Sequence, residues 1–114
     1  MEKWGTLMIR DFNTREFRIV CHGMNDAKEL LAMNEPKSAL AALREPKKIL
    51  ERKINNTRIL ALLLIQEAEI LISLQRFDKA ANDLKRAVEV LEAIDDHEED
   101  PRQKIASLLA CLPK

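Results

Sequence analysis

The stretch 57–74, TRILALLLIQEAEILISL, reads as a helix that is apolar on nearly every side. Only Arg58, Gln66, Glu67, Glu69 and Ser73 are left for water, so more than one neighbour must cover it. After the short break Gln75-Arg76-Phe77, the residues Phe77, Ala80, Ala81, Leu84, Ala87, Val88, Leu91 and Ile94 recur at helical spacing. Asn82, Asp83, Lys85, Arg86, Glu89 and Glu92 fill the opposite face, which predicts a surface helix with one buried stripe. A connection of a few residues makes the two helices antiparallel neighbours. The small Ala68, Ala80 and Ala87 let their axes approach, and Leu71, Leu74, Leu84 and Leu91 interlock around them.

Working outward, sliding the chain along itself until Ala27 lies on Ala68 also lays Leu30 on Leu71, Ala39 on Ala80, Leu43 on Leu84, Ile49 on Val90 and Leu50 on Leu91. Small residues at both close-contact positions, with large apolar ones between, are what two stacked helical pairs require. The first pair is interrupted differently. Pro36 opens its second helix, where no donor is needed. Pro46 falls inside that helix, so two pieces, Lys37 to Arg44 and Lys47 to Asn55, are expected with a kink or break at Glu45-Pro46. The two Glu-Pro-Lys triplets could instead start two separate helices.

Composition agrees with this plan. The chain has 114 residues, 46% apolar and 33% charged, with 2 Gly and 4 Pro, which suits one mostly helical domain. Basic and acidic residues number 19 each, so the overall balance draws the chain neither to phosphate nor to anionic lipid. Met1-Glu2-Lys3-Trp4 is not followed by a long apolar run, so no secretory leader is expected. The apolar run Ile59 to Ile65 is too short to span a bilayer. Two cysteines far apart make no disulfide framework, and a cytoplasmic location is expected.

Residues 1–15 form an N-terminal segment with two competing readings. Leu7, Ile9, Phe17, Ile19 and Cys21 alternate in a way that permits a β-hairpin around Asn13-Thr14. The helical reading, which is preferred, has Asn13 and Glu16 as a capping pair and carries Phe17, Val20, Met24, Ala27 and Leu31 along one face. Gly23 lies inside that pattern at a cost of about 1 kcal/mol, or ends a short helix there. At the other end, the acidic connection Asp95 to Asp100 leads to Pro101 as a first helical residue with Asp100 as its cap. Ile105, Leu108, Leu109 and Leu112 then form one stripe of a capping helix.

Ala68, Ala80 and Ala87, spaced by twelve and seven with Phe77 and Leu84 among them, resemble the small-residue signature of a tetratricopeptide repeat (TPR). The expected fold is all-α: antiparallel helical hairpins stacked as a short TPR-like α-solenoid, with repeats at 16–56 and 57–97 and a C-terminal capping helix at 101–112. Ala27-x-x-Leu30-Leu31-Ala32, Ala39-Leu40-x-x-Leu43, Thr57-Arg58-x-x-x-Leu62-Leu63 and Gln75-Arg76-x-x-Lys79-Ala80 are similar to the helical-repeat region of MalT-type transcription regulators. The ATPase and DNA-binding parts of those proteins have no counterpart here. The acidic-plus-Pro connection also resembles kinesin light chain repeats. The TPR resemblance implies a concave face lined by the first helix of each pair: Cys21, Met24, Asn25 and Lys28, then Leu62, Ile65, Gln66, Glu69, Ile72 and Ser73. The family's carboxylate clamp has only Asn25 and Lys28 to build on, opposed by Glu69, and is not expected.

No catalytic set is visible. Cys21, His22, His97 and Cys111 lack the paired spacing of a zinc site, so a core cysteine and a solvated histidine are expected, with no metal and no cofactor. There is no glycine-rich phosphate loop and no oxyanion-hole signature. The acidic run Asp95 to Asp100 reads as a solvated linker. Arg44, Lys47, Lys48, Arg52 and Lys53 are basic, but Glu45 and Glu51 interleave them and no aromatic intervenes for base stacking, so a solvated face is expected. The reading that remains is a non-catalytic protein–protein interaction module, an adaptor or chaperone-like cradle for an apolar helix or peptide segment. Met24, Asn25, Lys28, Leu62, Ile65, Gln66, Glu69 and Ile72 would contact the partner. The alternatives are a self-associating domain of a regulator, or a nucleic-acid-associated protein using the Arg44 to Lys53 cluster. The exposed apolar load, with no net charge to keep copies apart, leads to an expected homodimer or permanent partner.

Overall fold

The computed structural model describes residues 14–53, 58–95 and 99–113, and every regular element among them is a helix. These are α1 (Thr14–Ala32), α2 (Pro36–Ala42), α3 (Arg44–Lys53), α4 (Arg58–Ser73), α5 (Phe77–Ala93) and α6 (Glu99–Ala110). The strand alternative therefore fails for Phe17, Ile19 and Cys21, which all lie within α1. The reading of residues 1–13, and with it the cap assigned to Asn13, lies outside the described residues. No helix among the described residues is long and apolar enough to cross a membrane.

α4 holds the fold together. It touches each of the other helices, and its most extensive contact is with α5. Leu60, Ala61, Leu63, Leu64, Ile65, Ala68, Ile70 and Leu71 are all buried along it. Burying a side chain the size of Leu or Ile is worth about 1.5–3 kcal/mol, so one helix supplies a large share of the drive to collapse. Of the stripe expected on α5, Ala80, Leu84, Ala87 and Leu91 are buried and Phe77, Ala81, Val88 and Ile94 half-buried, while Val90, outside that stripe, is buried as well.

The turns after α1 and α4 are built alike. After α4, the N–H of Arg76 donates to the Leu71 carbonyl at 2.8 Å and that of Gln75 to Ile72 at 2.9 Å, with Gln75 at φ 61°. After α1, Glu35 donates to Leu30 at 2.9 Å and Asn34 to Leu31 at 3.0 Å, with Asn34 at φ 63°. Both are Schellman closures, which satisfy carbonyls the helix end leaves open. The sequence alignment that lays Ala27 on Ala68 also lays Asn34 on Gln75, and it carries fully buried Ala27, Ala39, Leu43 and Leu50 onto fully buried Ala68, Ala80, Leu84 and Leu91.

The break between the two pieces lies at Leu43, not at Glu45-Pro46, so each Glu-Pro-Lys triplet stands at the start of its own helix, as the alternative reading had it. Pro46 is the third residue of α3, where its missing N–H is one that no helix start can bond internally. α1 runs unbroken through Gly23, and packing explains the glycine. A Cβ there would lie 2.3 Å from Pro46 Cγ and 2.9 Å from the Ala42 carbonyl oxygen. Under the same alignment the sizes are exchanged: Leu64 stands where Gly23 stands and Ala87 where Pro46 stands, and both are fully buried.

α6 likewise begins earlier than expected, at Glu99, with Asp100 inside the helix rather than capping it and Pro101 buried as its third residue. Ile105 and Leu108 are buried but Leu109 is 48% exposed, which corrects the four-residue stripe. Adjacent helical residues point about 100° apart, so Leu108 and Leu109 cannot both face the core.

Two stability outcomes follow. Ala80→Leu is expected to overpack the α4–α5 contact and cost about 1–3 kcal/mol, whereas Ala81→Leu, at a half-buried position, costs less. Equal urea midpoints for the two variants would contradict this register. Gly23→Ala is expected to destabilise by about 1–3 kcal/mol although Ala is the better helix former by about 1 kcal/mol. Adding Pro46→Ala should recover part of that loss, and additive effects in the double-mutant cycle would show that the two sites are uncoupled.

Candidate functional site

Two concavities flank α4 on opposite sides. The first is a groove of about 790 Å³ between α1 and α4, edged by α6. Met24, Asn25 and Lys28 from α1 and Leu62, Ile65, Gln66 and Glu69 from α4 all line it, so seven of the eight partner-contact residues named from the sequence share one surface. Cys21 lines it as well. Ile72 does not; it is half-buried against the core, and Ser73 is exposed outside the groove. Ile65 forms the floor, at 5% exposure, while Leu62 at 36% and Phe17 at 38% present apolar surface to solvent.

Two polar contacts bridge the helices that form this groove. Gln66 Nε2 donates to the Met24 carbonyl oxygen at 2.7 Å and ties α4 to α1. Lys104 Nζ lies 3.4 Å from Glu69 Oε2 and ties α4 to α6. Sequence periodicity places residues within one helix but not across helices, so it did not bring Phe17, Ile59 and Lys104 into this set.

The second concavity is a cleft of about 490 Å³ between α2–α3 and α4–α5. Lys47 Nζ on α3 donates to Glu67 Oε1 on α4 at 2.8 Å, and the Glu67 side chain is only 13% exposed. Glu67 is thus not a solvent residue, as its place in the pattern had implied. Asp83 on α5, also assigned to the outer face, is half-buried, and its Oδ2 is buried with no donor to satisfy it as a carboxylate. Arg86 on α5 pairs with Glu51 on α3.

The chemistry of the carboxyl pair follows from this geometry. Burial, then the hydrogen bond and the charge of Glu67, push the Asp83 carboxyl up to about 8. Burial also opposes the charge of Glu67, but the hydrogen bonds with Asp83 and Lys47 outweigh it and hold Glu67 below its ordinary value. Burial would lower Lys47, yet its hydrogen bond and charge interaction with Glu67 raise it. At neutral pH the cluster is therefore a protonated Asp83 donating to a Glu67 carboxylate that also takes Lys47.

The basic cluster read from the sequence is divided. Arg44, Lys47 and Lys48 line the cleft, joined by Arg76 and Lys79. Arg52 lies 3.6 Å from Glu16 of α1, and the side chain of Lys53 is outside the described residues. Cys21 and Cys111 are free and exposed, which corrects the expectation of a core cysteine; His22 is exposed and His97 lies outside the described residues. Among the described residues no group of three or more His, Cys, Asp or Glu side chains could hold a metal ion. No protein-family model matches the chain, and neither curated proteins nor solved structures provide a match.

The raised Asp83 value fixes the sign of a pH effect. Its stabilising contribution is fully present below the ordinary Asp pKa and is lost as pH rises through about 8. Glu67 acts oppositely, losing its contribution as pH falls below the ordinary Glu range. The thermal midpoint is therefore expected to fall from about pH 5 to about pH 9. Asp83→Asn, which cannot titrate but can still donate to Glu67, should flatten that fall. Parallel curves for the two proteins in circular dichroism melts would remove Asp83 from the effect.

Proposed function

We propose that this protein is a non-catalytic interaction module of TPR-like build, in which α1 with α2–α3 and α4 with α5 form two stacked antiparallel hairpins capped by α6. The matched Schellman turns and the burial pattern that recurs when Ala27 is laid on Ala68 support this architecture. The groove between α1 and α4 would be the cradle for an apolar helix or peptide segment of a cytoplasmic protein, with no cofactor involved. The observation that carries this reading is a groove that brings the apolar Phe17, Met24 and Leu62 together with the polar Asn25, Lys28, Gln66 and Glu69. Apolar anchors within a polar rim are the usual anatomy of a helix-in-groove or peptide site.

Self-association is the second reading, favoured by the same exposed Leu62 and Phe17 together with Leu109 on α6. Sedimentation equilibrium at micromolar concentration, combined with pull-down and mass spectrometry, separates the two. Leu62→Asp replaces a partly exposed side chain and is expected to shift unfolding by less than about 1 kcal/mol. In the cradle reading the wild type sediments as a monomer and the variant loses a captured partner. In the second reading the wild type sediments as a dimer that the variant dissociates. A monomer whose captured proteins are unaffected by Leu62→Asp would refute both.

A further inference from the structure

The cleft on the far side of α4 holds more positive charge than the chain's own carboxylates consume. Arg44, Lys47 and Lys48 stand on one wall, Arg76 and Lys79 on the other. Lys47 is taken by Glu67, and Glu51 is taken by Arg86. Asp83 adds little negative charge at neutral pH, because burial and the neighbouring Glu67 push its carboxyl up to about 8. Among the described residues, no ion pair engages Arg44, Lys48, Arg76 or Lys79. The chain as a whole carries no net charge, so this excess is local to the cleft.

We infer that this cleft binds an acidic peptide segment of a protein partner, its Asp or Glu side chains held between Arg44 and Lys48 on one wall and Arg76 and Lys79 on the other. Leu40, half-buried on α2, lines the cleft and gives the aliphatic portions of such a segment a surface to rest on. Two guanidinium groups suit carboxylates, which they bind with paired, charge-assisted hydrogen bonds. A nucleic-acid strand fits less well. No aromatic side chain lines the cleft for base stacking, and Glu51 and Glu67 in its lining interrupt the run of positive charge that an evenly charged phosphate backbone needs. A peptide can place carboxylates at intervals and avoid both acids.

This site is independent of the α1–α4 groove. On α4 the groove takes Leu62, Gln66 and Glu69, whereas the cleft takes Glu67 and Leu71, about 140–180° around the helix from Leu62. A partner could engage either face without occluding the other.

The test is fluorescence anisotropy of the full chain with a labelled octaglutamate peptide, a neutral Gly-Ser peptide and a single-stranded oligonucleotide of matched charge. Saturable binding of octaglutamate alone is expected, weakening as salt rises from about 0.05 to about 0.3 M. Arg76→Glu with Lys79→Glu, and separately Arg44→Glu with Lys48→Glu, should each weaken it by at least about tenfold, or about 1.4 kcal/mol. Lys85→Glu, an exposed charge reversal outside the cleft, and Leu62→Asp in the groove should leave it unchanged. Absent binding, or equal loss with Lys85→Glu, would overturn the proposal. Tighter binding of the oligonucleotide, lost with the same reversals, would replace it with a phosphate site. Salt-sensitive self-association abolished by those reversals would make a second copy the occupant.

Discussion

The fold depends on burying α4. A helix with apolar residues on nearly all sides has no stable place at a surface, and here five neighbouring helices cover it. That requirement determines much of what surrounds it. α5 needs only one apolar stripe because it covers one side of α4, and α6 can be short because it adds Ile105 and Leu108 to a surface that α4 and α5 already share. The side of α4 that remains open, around Leu62, is flanked by α1 and becomes the groove. The candidate binding surface is thus the portion of the central helix that the other helices leave uncovered.

Close packing sets the finer geometry through pairs of sizes. Where α1 meets the start of α3, glycine accommodates proline; at Leu64 and Ala87, the buried positions that align with them, the sizes are reversed. Protein interiors tolerate little spare or missing volume, so an interruption such as Pro46 is retained only with a compensating change opposite it. Gly23 has an ordinary helical place and no need of a left-handed conformation. Its function is the absence of a side chain.

Much of this was legible in the residues, and the failures share a cause. The extents of α4 and α5, the Gln75 turn and the close alanines followed from spacing within one helix, which periodicity reports directly, while the groove residues were those the TPR resemblance implied. Where outcomes depended on atoms from separate helices, the pattern was silent or misleading. Glu67 and Asp83 looked solvent-facing because they are acids, yet they meet between α4 and α5 beside Lys47 of α3. The available signal was an acid set among α4's apolar residues, adjacent to Ala68 and four before Leu71, where the neighbouring helix must supply a partner. The break between α2 and α3 lies at Leu43 rather than at Glu45-Pro46 for a related reason. Proline is disfavoured inside a helix but well placed in its first turn, and only the path of α2 and α3 reveals which applies.

The polar cluster has a structural consequence that the apolar core cannot supply. Alanine and leucine contacts allow neighbouring helices to slide by small steps at modest cost, because one apolar surface resembles the next. A carboxylate in contact with both a neighbouring carboxyl and an ammonium group accepts far fewer positions, since displacing either partner leaves a buried charge unsatisfied. Glu67 therefore fixes the placement of α3 and α5 together against α4. The same arrangement leaves the remaining cations without a carboxylate: Glu67 takes Lys47 and Glu51 takes Arg86, so Arg44, Lys48, Arg76 and Lys79 line the cleft with no ion pair among the described residues.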